Sequence, residues 1–151
     1  MRNISTDITI TAANGDDLPQ ILALLEECEL PTEGLATHLS TTLVARKGRK
    51  IVGCSGLEIY QQSALLRSVA VKRAFRRQGL ATNLVKRMLA LAKHHKVTSV
   101  YLLTTTASTF FSRIGFSIIQ RSDVPEKIKH TAEFTSLCPD SATIMANLIN
   151  D

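Results

Sequence analysis

Apolar residues recur along the chain with two periods, one typical of strands and one typical of helices. Ile4 to Thr11 alternates apolar and polar residues, which predicts a first strand. From Leu18 to Cys28 the apolar residues recur every three or four positions, which predicts a helix that ends before Pro31. Asn14 and Asp17 precede this helix with the spacing of a capping pair. The N-terminal part therefore predicts a strand followed by a capped helix.

The middle of the chain has the pattern of a three-stranded meander with short polar turns. The predicted strands are Thr42 to Arg46, Ile51 to Ile59 and Ala64 to Val71. A short helix around Leu35 to Leu39 precedes them. Gly53 and Gly56 lie inside the second of these strands, and glycines there indicate the close approach of another element.

The remaining pattern alternates helices with strands. Leu80 to Lys93 has one apolar face and one charged face, which predicts the clearest helix of the chain. The further predicted elements are a strand at Ser99 to Leu103, a helix at Ala107 to Ile114, and strands at Phe116 to Ile119 and Ala142 to Leu148. The sequence thus predicts an α/β fold with a largely antiparallel first half and a βαβ crossover in the second.

Composition favours a single globular domain over residues 1–151. Hydrophobic residues make up 44% of the chain and charged residues 21%, which is ordinary for a folded protein. No apolar run approaches the roughly 18 residues of a membrane span, and the N-terminus has no signal-peptide pattern. We therefore expect a cytoplasmic protein that does not act in a membrane.

Charge and cysteine content exclude some classes of binding partner but do not identify one. The formal charge of +5 suits nucleic acid, an anionic membrane surface or a small anion. Without a long basic run or a set of stacking aromatic residues, we expect no nucleic-acid partner. The three cysteines contain no CxxC pair, so we expect no metal site and no disulfide framework. Cys138, in a polar stretch, is the one thiol not readily assigned to the core.

One junction between a strand and a helix carries the strongest chemical signal. The strand ends at Ser68 to Val71, and the next helix opens within a glycine-containing hexamer. That hexamer is Arg76-Arg77-Gln78-Gly79-Leu80-Ala81. A helix start presents unpaired N–H groups and a positive dipole end, and small residues let a phosphate approach the backbone. The junction predicts a pyrophosphate site, although the hexamer alone also fits an ordinary helix start with two surface arginines.

Two longer stretches of sequence identify a family resemblance. SVAVKRAFRRQGLATNLV and the later YLLTTTASTFFSRIGF resemble the cofactor motif and the following strand-helix motif of the GCN5-related N-acetyltransferase (GNAT) superfamily. The resemblance implies a GNAT fold, with a mostly antiparallel central sheet whose splayed strands are flanked by helices, and acetyl-CoA as cosubstrate. It also implies a bulged strand in which backbone groups of Val69, Ala70 and Val71 hold the pantetheine, with the Val69 N–H polarising the thioester carbonyl.

The chain departs from the family pattern at two positions. Phe111 stands where the superfamily often has a tyrosine that protonates the departing thiolate, and Thr104 replaces an asparagine. We still expect both residues to contact the cofactor. Thr104, Thr105 or Ser108 are open candidates for relaying a proton, and water is another.

Shorter motifs resemble two subfamilies with amino-acid-like acceptors. Leu103 to Thr105 and Phe110-Phe111 look like the acetyltransferase domain of N-acetylglutamate synthases. The motifs that look like arsenic-resistance N-acetyltransferases are Leu30 to Gly34, Gly56 to Glu58, Thr131 to Phe134, Ser136 to Pro139 and Ser141-Ala142. The resemblance implies a small, acidic amino-acid-like acceptor and a role in arsenic resistance.

Several charged residues are candidates for handling that acceptor. Arg67 is predicted to bind its carboxylates, with Lys127 and Lys129 as weaker alternatives. Glu58 is predicted to be the general base, and Glu133 is a second carboxylate in the tail motif. The remaining predicted acceptor contacts are Glu33, which would orient the amine, and Thr105. For each charged residue, an ordinary solvated or ion-paired role stays open.

The leading hypothesis is direct acetyl transfer to a small-molecule amine, and three alternatives remain open. Phe111 makes a non-catalytic CoA-binding sensor plausible. A protein or peptide amine acetyltransferase would require an open groove, and a basic nucleic-acid binder would bind DNA independently of acetyl-CoA. The sequence does not decide the oligomeric state, and a homodimer is one alternative.

Overall fold

The computed structural model describes residues 7–137 and 141–149. Seven strands hydrogen-bond into one sheet in the order β1-β2-β3-β4-β5-β7-β6. Their bounds are β1 Ile8–Ala12, β2 Thr42–Lys47, β3 Lys50–Tyr60, β4 Ser63–Val71, β5 Ser99–Thr104, β6 Ser117–Ile118 and β7 Thr143–Leu148. The pairs β1/β2, β2/β3, β5/β7 and β6/β7 are antiparallel, whereas β4/β5 is parallel. This mixed, mostly antiparallel sheet confirms the predicted fold class, including the βαβ crossover.

Within the described residues, four α-helices connect or flank these strands. They are α1 Leu18–Glu27, α2 Leu80–His94, α3 Ser108–Ile114 and α4 Glu126–Lys129. A π-helix at Glu133–Leu137 and several short 3₁₀ turns complete the described segments. The long helix predicted from its apolar stripe is α2, and Gly115 ends α3 in the left-handed region, as its position predicts.

The structure corrects some predicted boundaries. The short helix predicted around Leu35 to Leu39 is a 3₁₀ helix at Ala36–Thr41, and it is kinked at His38. The first strand begins at Ile8, and the predicted residues 4–6 lie outside the described chain, as does Cys138. The sixth strand is shorter than predicted, at two residues.

Contacts divide the chain into two compact units. Unit 1 is Met1–Gly56 with Ser68–Met88, and unit 2 is Leu57–Arg67 with Leu89–Asp151. The boundary in β4 falls between Arg67 and Ser68, so residues 63–67 of the strand belong to unit 2 and residues 68–71 belong to unit 1.

Unit 1 has an apolar cluster on each face of its strands. One cluster packs α1 residues such as Ile21 and Leu25 against Val44 and Cys54, and the other packs α2 residues such as Leu84 against strand residues. A Cβ atom at Gly53 would lie 3.1 Å from Leu84 Cδ1. The sequence predicts the close approach of another element at Gly53, and in the structure that element is α2.

The predicted cap before α1 is present in unit 1. The Asn14 side chain accepts a hydrogen bond from the Asp16 N–H, and the Asn14 N–H donates to Asp17 Oδ2 at 2.9 Å. Asp17 also forms a two-pronged ion pair with Arg46, at 2.6 and 2.8 Å. The Arg46 hydrogen bond is the main reason that the pKa of Asp17 is lowered.

Unit 2 has its own apolar cluster. Its buried members are Leu65, Tyr101, Val124, Ile128, Phe134, Ile144 and Ala146. This cluster joins the first part of β4 and strands β5 and β7 to α4 and the π-helix, and so it fixes the tail segment that carries Glu133. Among the described residues, no helix is both long and apolar enough to cross a membrane.

Candidate active site

The loop before α2 has the backbone geometry of an anion site. Arg77 and Gly79 both lie in the left-handed region, with φ values of 65° and 82°. A left-handed backbone before a helix can turn N–H groups toward one concave side, and α2 adds the positive end of its dipole. A Cβ atom at Gly79 would meet nothing within 4 Å, so the space in front of this backbone is open. This backbone geometry is compatible with the predicted pyrophosphate site, which stays a prediction.

Arg76 is bound into the loop. Its Nε donates to the Val71 carbonyl oxygen at 2.8 Å, and its Nη2 lies 3.5 Å from Cys28 Sγ. The sequence suggests two similar rim charges at Arg76 and Arg77. In the structure, Arg76 instead links the start of the loop to the end of β4, and only Arg77 has the left-handed backbone.

The part of β4 in unit 1 begins with an irregularity. Ser68 has a φ of 62°, which is unusual for a non-glycine residue in a strand and typical of certain β-bulges. The Cys54 thiol lies 3.2 Å from the Ser68 carbonyl oxygen and donates to it. Burial raises the pKa of Cys54 to about 12, so the thiol stays protonated as a donor. Val69, Ala70 and Val71 follow directly.

In unit 2, the first part of β4 pairs with β5 through a short ladder. Ser63, Ala64 and Leu65 are paired with residues 99–101 of β5. Among the described residues of β4, the ladder includes none after Leu65. A short ladder of this kind agrees with the splayed strands that the GNAT resemblance implies.

A buried cluster of charged side chains lies in unit 2. Arg67 Nη1 donates to Glu58 Oε2 at 2.7 Å, and Arg67 Nε lies 3.4 Å from Glu133 Oε2. The Tyr60 hydroxyl donates to Glu58 Oε1 at 2.5 Å. The side chains of Arg67, Glu58 and Glu133 are 0%, 5% and 6% exposed. The structure thus brings together Arg67, Glu58 and Glu133, which the sequence analysis selected as candidate site residues. Tyr60 is an additional member of the cluster.

The charges of this cluster alter its proton equilibria. Burial is the main reason that the pKa of Glu133 is raised to about 7. The Arg67 guanidinium opposes this rise, and the Glu58 carboxylate adds to it. Burial and the hydrogen bond to Glu58 raise the pKa of the Tyr60 hydroxyl, which therefore remains a proton donor. Glu133 is the carboxyl poised to change its charge near neutral pH.

Other predicted site residues lie apart from this cluster. Glu33 is in an exposed turn of unit 1. In unit 2, Thr104 Oγ1 accepts from the Ala107 N–H at 3.0 Å, Thr105 is exposed, and Phe111 is buried edge-on against Phe110 and Phe116. Their predicted roles at the cofactor or acceptor remain predictions.

The two lysines considered for the acceptor are on α4. Lys127 is exposed, and Lys129 lies 3.4 Å from Glu126. Neither lysine belongs to the buried cluster.

Two contacts were missed from the sequence. Tyr60 lies two residues after Glu58, and residues at that spacing in a strand share a face, so strand periodicity offered a signal for it. The Cys54 contact with Ser68 had no such signal.

A surface pocket of about 540 Å³ lies beside Tyr60 in unit 2. Its lining residues are Tyr60, Gln61, Gln62, Ser63, Pro125, Glu126 and Lys127. In the described parts of the chain, no group of three or more His, Cys, Asp or Glu side chains is placed to hold a metal ion.

Comparisons with known proteins connect this arrangement to a family. The family model described as acetyltransferase (GNAT) domain matches residues 38–118, more than half of the chain. An uncharacterized N-acetyltransferase from Chlorobaculum tepidum is 32% identical over 97 residues, which are 64% of this chain and 62% of that protein. The chain therefore spans less than two thirds of the length of this curated relative.

Solved structures show the same fold. N-acetylglutamate synthase from Neisseria gonorrhoeae, complexed with coenzyme A and N-acetyl-glutamate, superposes with a TM-score of 0.82 at 20% identity; the match covers 95% of this chain and 35% of that one. Rv2747 from Mycobacterium tuberculosis, in complex with CoA and NLQ, gives a TM-score of 0.80 at 23% identity over 94% of this chain and 99% of that chain. With the family model matched over residues 38–118, the chain belongs to the GNAT acetyltransferases.

Proposed function

We propose that this protein transfers the acetyl group of acetyl-CoA directly to the amine of a small, acidic amino-acid-like substrate. The observation that carries the proposal is the loop at Arg76–Ala81, in which Arg77 and Gly79 are left-handed and a Cβ atom at Gly79 would meet nothing within 4 Å, just before α2 begins. Family membership supports the acetyl transfer, and the coenzyme A complexes of two structural neighbours support the cosubstrate.

The loop suits the pyrophosphate of acetyl-CoA through its backbone. The N–H groups from Arg77 to Ala81 supply hydrogen bonds, and the guanidinium of Arg77 supplies charge. Gly79 leaves room for a phosphate to approach. The backbone of Val69 to Val71, which follows the bulge at Ser68, would take the pantetheine arm as an added strand.

The main contributions to the rate would be positioning and polarisation. The Val69 N–H would polarise the thioester carbonyl, and two bound substrates would react as one complex. Phe111 has no proton to give, so the departing thiolate takes its proton from elsewhere. A thiol with a pKa near 8.5 is a tolerable leaving group at neutral pH.

The acceptor proposal rests on neighbours and on short motifs. The gonococcal enzyme is complexed with N-acetyl-glutamate, and the tail motifs resemble arsenic-resistance acetyltransferases. We include a role in arsenic resistance in the proposal on that basis. Because Arg67 is already paired with two carboxylates, other donors would have to hold the acceptor's acidic groups.

A turnover screen tests this function. Thiol release from acetyl-CoA is followed with amino acids as acceptors, including glutamate and its arsenic and phosphorus analogues, and products are identified by mass spectrometry. We expect acetylation of at least one acidic amino acid. Acetylation of peptides alone would instead identify a protein or peptide acetyltransferase.

A non-catalytic CoA sensor is the second candidate, and the buried Phe111 favours it. The ring packs between Phe110 and Phe116, at centroid distances of 4.9 and 5.7 Å, where many relatives are expected to have a tyrosine acid. Calorimetric binding of CoA without thiol release, under any amine tested, would support the sensor and contradict the enzyme.

A further inference from the structure

The part of β4 in unit 1 begins at a residue whose backbone needs support. Ser68 has a φ of 62°, a left-handed conformation that residues other than glycine and asparagine rarely adopt. Such a conformation is disfavoured and persists only where the surrounding contacts hold it. Ser68 is also buried, so those contacts come from the protein. The side chain of Cys54, in β3 of the same unit, supplies one of them.

The Cys54 thiol bridges two backbone groups of β4. The thiol donates to the Ser68 carbonyl oxygen, with the sulfur and oxygen 3.2 Å apart, and the Ala70 N–H donates to the same sulfur. Cys54 is wholly buried, so water does not compete for either bond. Burial raises the pKa of the thiol to about 12, and the Ala70 N–H opposes this rise only in part. The thiol therefore keeps its proton, and it can donate and accept at once.

This bridge determines the direction of the Val69 backbone. In a planar trans peptide the carbonyl and the following N–H point in opposite directions. The Ser68 carbonyl points to Cys54, so the Val69 N–H points away from it. The Ala70 N–H also points to Cys54, so the Val69 carbonyl points away as well. Both backbone groups of Val69 are therefore turned to the edge of β4 that faces away from Cys54.

The end of β4 continues the same alternation. The Lys72 N–H donates to the Val52 carbonyl oxygen of β3 at 2.8 Å. The Val71 carbonyl, on the other side of that peptide, therefore points away from β3, and it accepts from Arg76 Nε at 2.8 Å. The Val69 N–H and the Val71 carbonyl thus point to one edge, and β3 holds the opposite edge of the strand.

We propose that Cys54 is a positioning residue, whose thiol holds the left-handed backbone at Ser68 and so aims the Val69 N–H at the thioester carbonyl. The inference rests on the proposed acetyl transfer, in which the Val69 N–H stabilises the charge that develops on the thioester oxygen. Cys54 takes no part in forming or breaking bonds. Every group that the inference uses belongs to unit 1.

The next residue of β3 offers a matched control. The Ser55 side chain is also wholly buried, and within the described part of the chain its hydroxyl has no hydrogen-bond partner. Ser55→Ala removes a buried polar atom from the same strand without breaking a hydrogen bond. It therefore separates the loss of the Cys54 bridge from a general effect of truncating a buried side chain in β3.

The kinetic test compares three substitutions of Cys54 with this control. Cys54→Ala and Cys54→Val cannot bridge the backbone groups, whereas Cys54→Ser keeps a donor and an acceptor. With the best acceptor, Ala and Val should lower kcat by about 10-fold or more, because a misdirected N–H stabilises the oxyanion poorly. Cys54→Ser should restore most of this loss, and Ser55→Ala should have the wild-type kcat. The Kd of ADP, which has the pyrophosphate but no pantetheine arm, should be unchanged in all four variants. Equal losses in Cys54→Ser and Cys54→Ala would overturn the inference.

A second measurement needs no acceptor. In Cys54→Ala the Ala70 amide loses its sulfur acceptor, so its hydrogen exchange, followed by NMR, should become about 10-fold faster or more. The Val69 amide resonance should shift in the same variant, and neither change should occur in Ser55→Ala. Unchanged exchange at Ala70, or the wild-type kcat in folded Cys54→Val, would overturn this inference alone. Failure of the wild type with every amine would overturn the proposed function, and the aiming of Val69 with it.

Discussion

The loop at Arg76–Ala81 in unit 1 and the buried cluster in unit 2 differ in the exposure of their charged groups to solvent. In the loop, Arg77, Gln78 and Gly79 are exposed, and the groups proposed to bind the anion are backbone amides. In the cluster, Arg67, Glu58 and Glu133 are almost wholly buried, and the recognising groups are side chains. Water screens charges in the loop, whereas it hardly reaches those in the cluster.

This difference determines what a substitution costs. A side chain changed in the loop leaves the amides in place, so folding is little affected while anion binding responds. A side chain removed from the cluster leaves its partners charged and without water, so folding itself is affected. Four variants test that contrast, and their expected effects range from large to small.

Arg67→Met should have the largest effect, because two buried carboxylates would lose their cation. We expect a loss of about 3–5 kcal/mol in the free energy of unfolding at pH 8, measured by urea denaturation. The loss should be smaller at pH 5, where Glu133 is protonated. A loss below about 1 kcal/mol at pH 8 would show that the cluster is less buried than described, and would break the contrast.

Glu133→Gln should change how stability depends on pH. The folded pKa of about 7 lies above the ordinary 4.5, so the folded state holds the proton more tightly. The wild type should therefore lose stability as pH rises from 4.5 to 7, by up to about 3 kcal/mol relative to the variant. Unfolding of both proteins across pH 4–8 measures this difference. Parallel curves would contradict it.

Gly79→Asp should affect binding of coenzyme A and not folding. Asp and Asn both tolerate the left-handed region, so Gly79→Asn is the matched control for backbone strain. A carboxylate facing the pyrophosphate should weaken affinity by about 100-fold relative to the Asn variant. Calorimetry measures both affinities. Gly48→Asp, at another open left-handed glycine, should bind normally. Equal affinities at residue 79 would remove the loop from the cofactor site.

Lys72→Ala should have the smallest effect. Lys72 lies 3.4 Å from Glu27, and the two side chains are 33% and 51% exposed. A partly exposed pair of this kind contributes less than about 0.5 kcal/mol to the free energy of unfolding. Urea denaturation of the variant checks this value. A loss above about 1 kcal/mol would mean that exposed charge in unit 1 supports folding as buried charge does in unit 2.

Features that depend on neighbouring residues were predictable from the sequence. The stripe of α2 and the capping pair Asn14 and Asp17 each have a local cause. Gly53 inside a strand pattern indicated a close approach but not its partner, which is the distant Leu84. The short helix α4 and the π-helix were not predicted, because each is too brief to show a helical period in the sequence. The hexamer at Arg76–Ala81 suggested an anion site because backbone amides at a helix start need no distant partner.

The cluster was only partly predictable, because its members come from distant segments. Arg67, Glu58 and Glu133 were each chosen as site residues, but the pattern gave no distances between them. A free arginine for an acceptor carboxylate and a buried arginine between two glutamates look alike in sequence. The orientation of the Arg76 side chain could not be predicted for the same reason, because its hydrogen bond to the Val71 carbonyl depends on how the loop folds back.

The left-handed serine in β4 has a consequence for how the protein can diversify. Before Ser68, the strand supplies side chains such as Arg67; after it, the strand offers its backbone. Exchanges on the N-terminal side would alter the chemistry of the buried cluster, whereas similar exchanges at Val69 to Val71 would leave amides and carbonyls in place. A single residue thus separates a stretch whose side chains are constrained by their buried partners from one whose backbone groups would survive most side-chain exchanges.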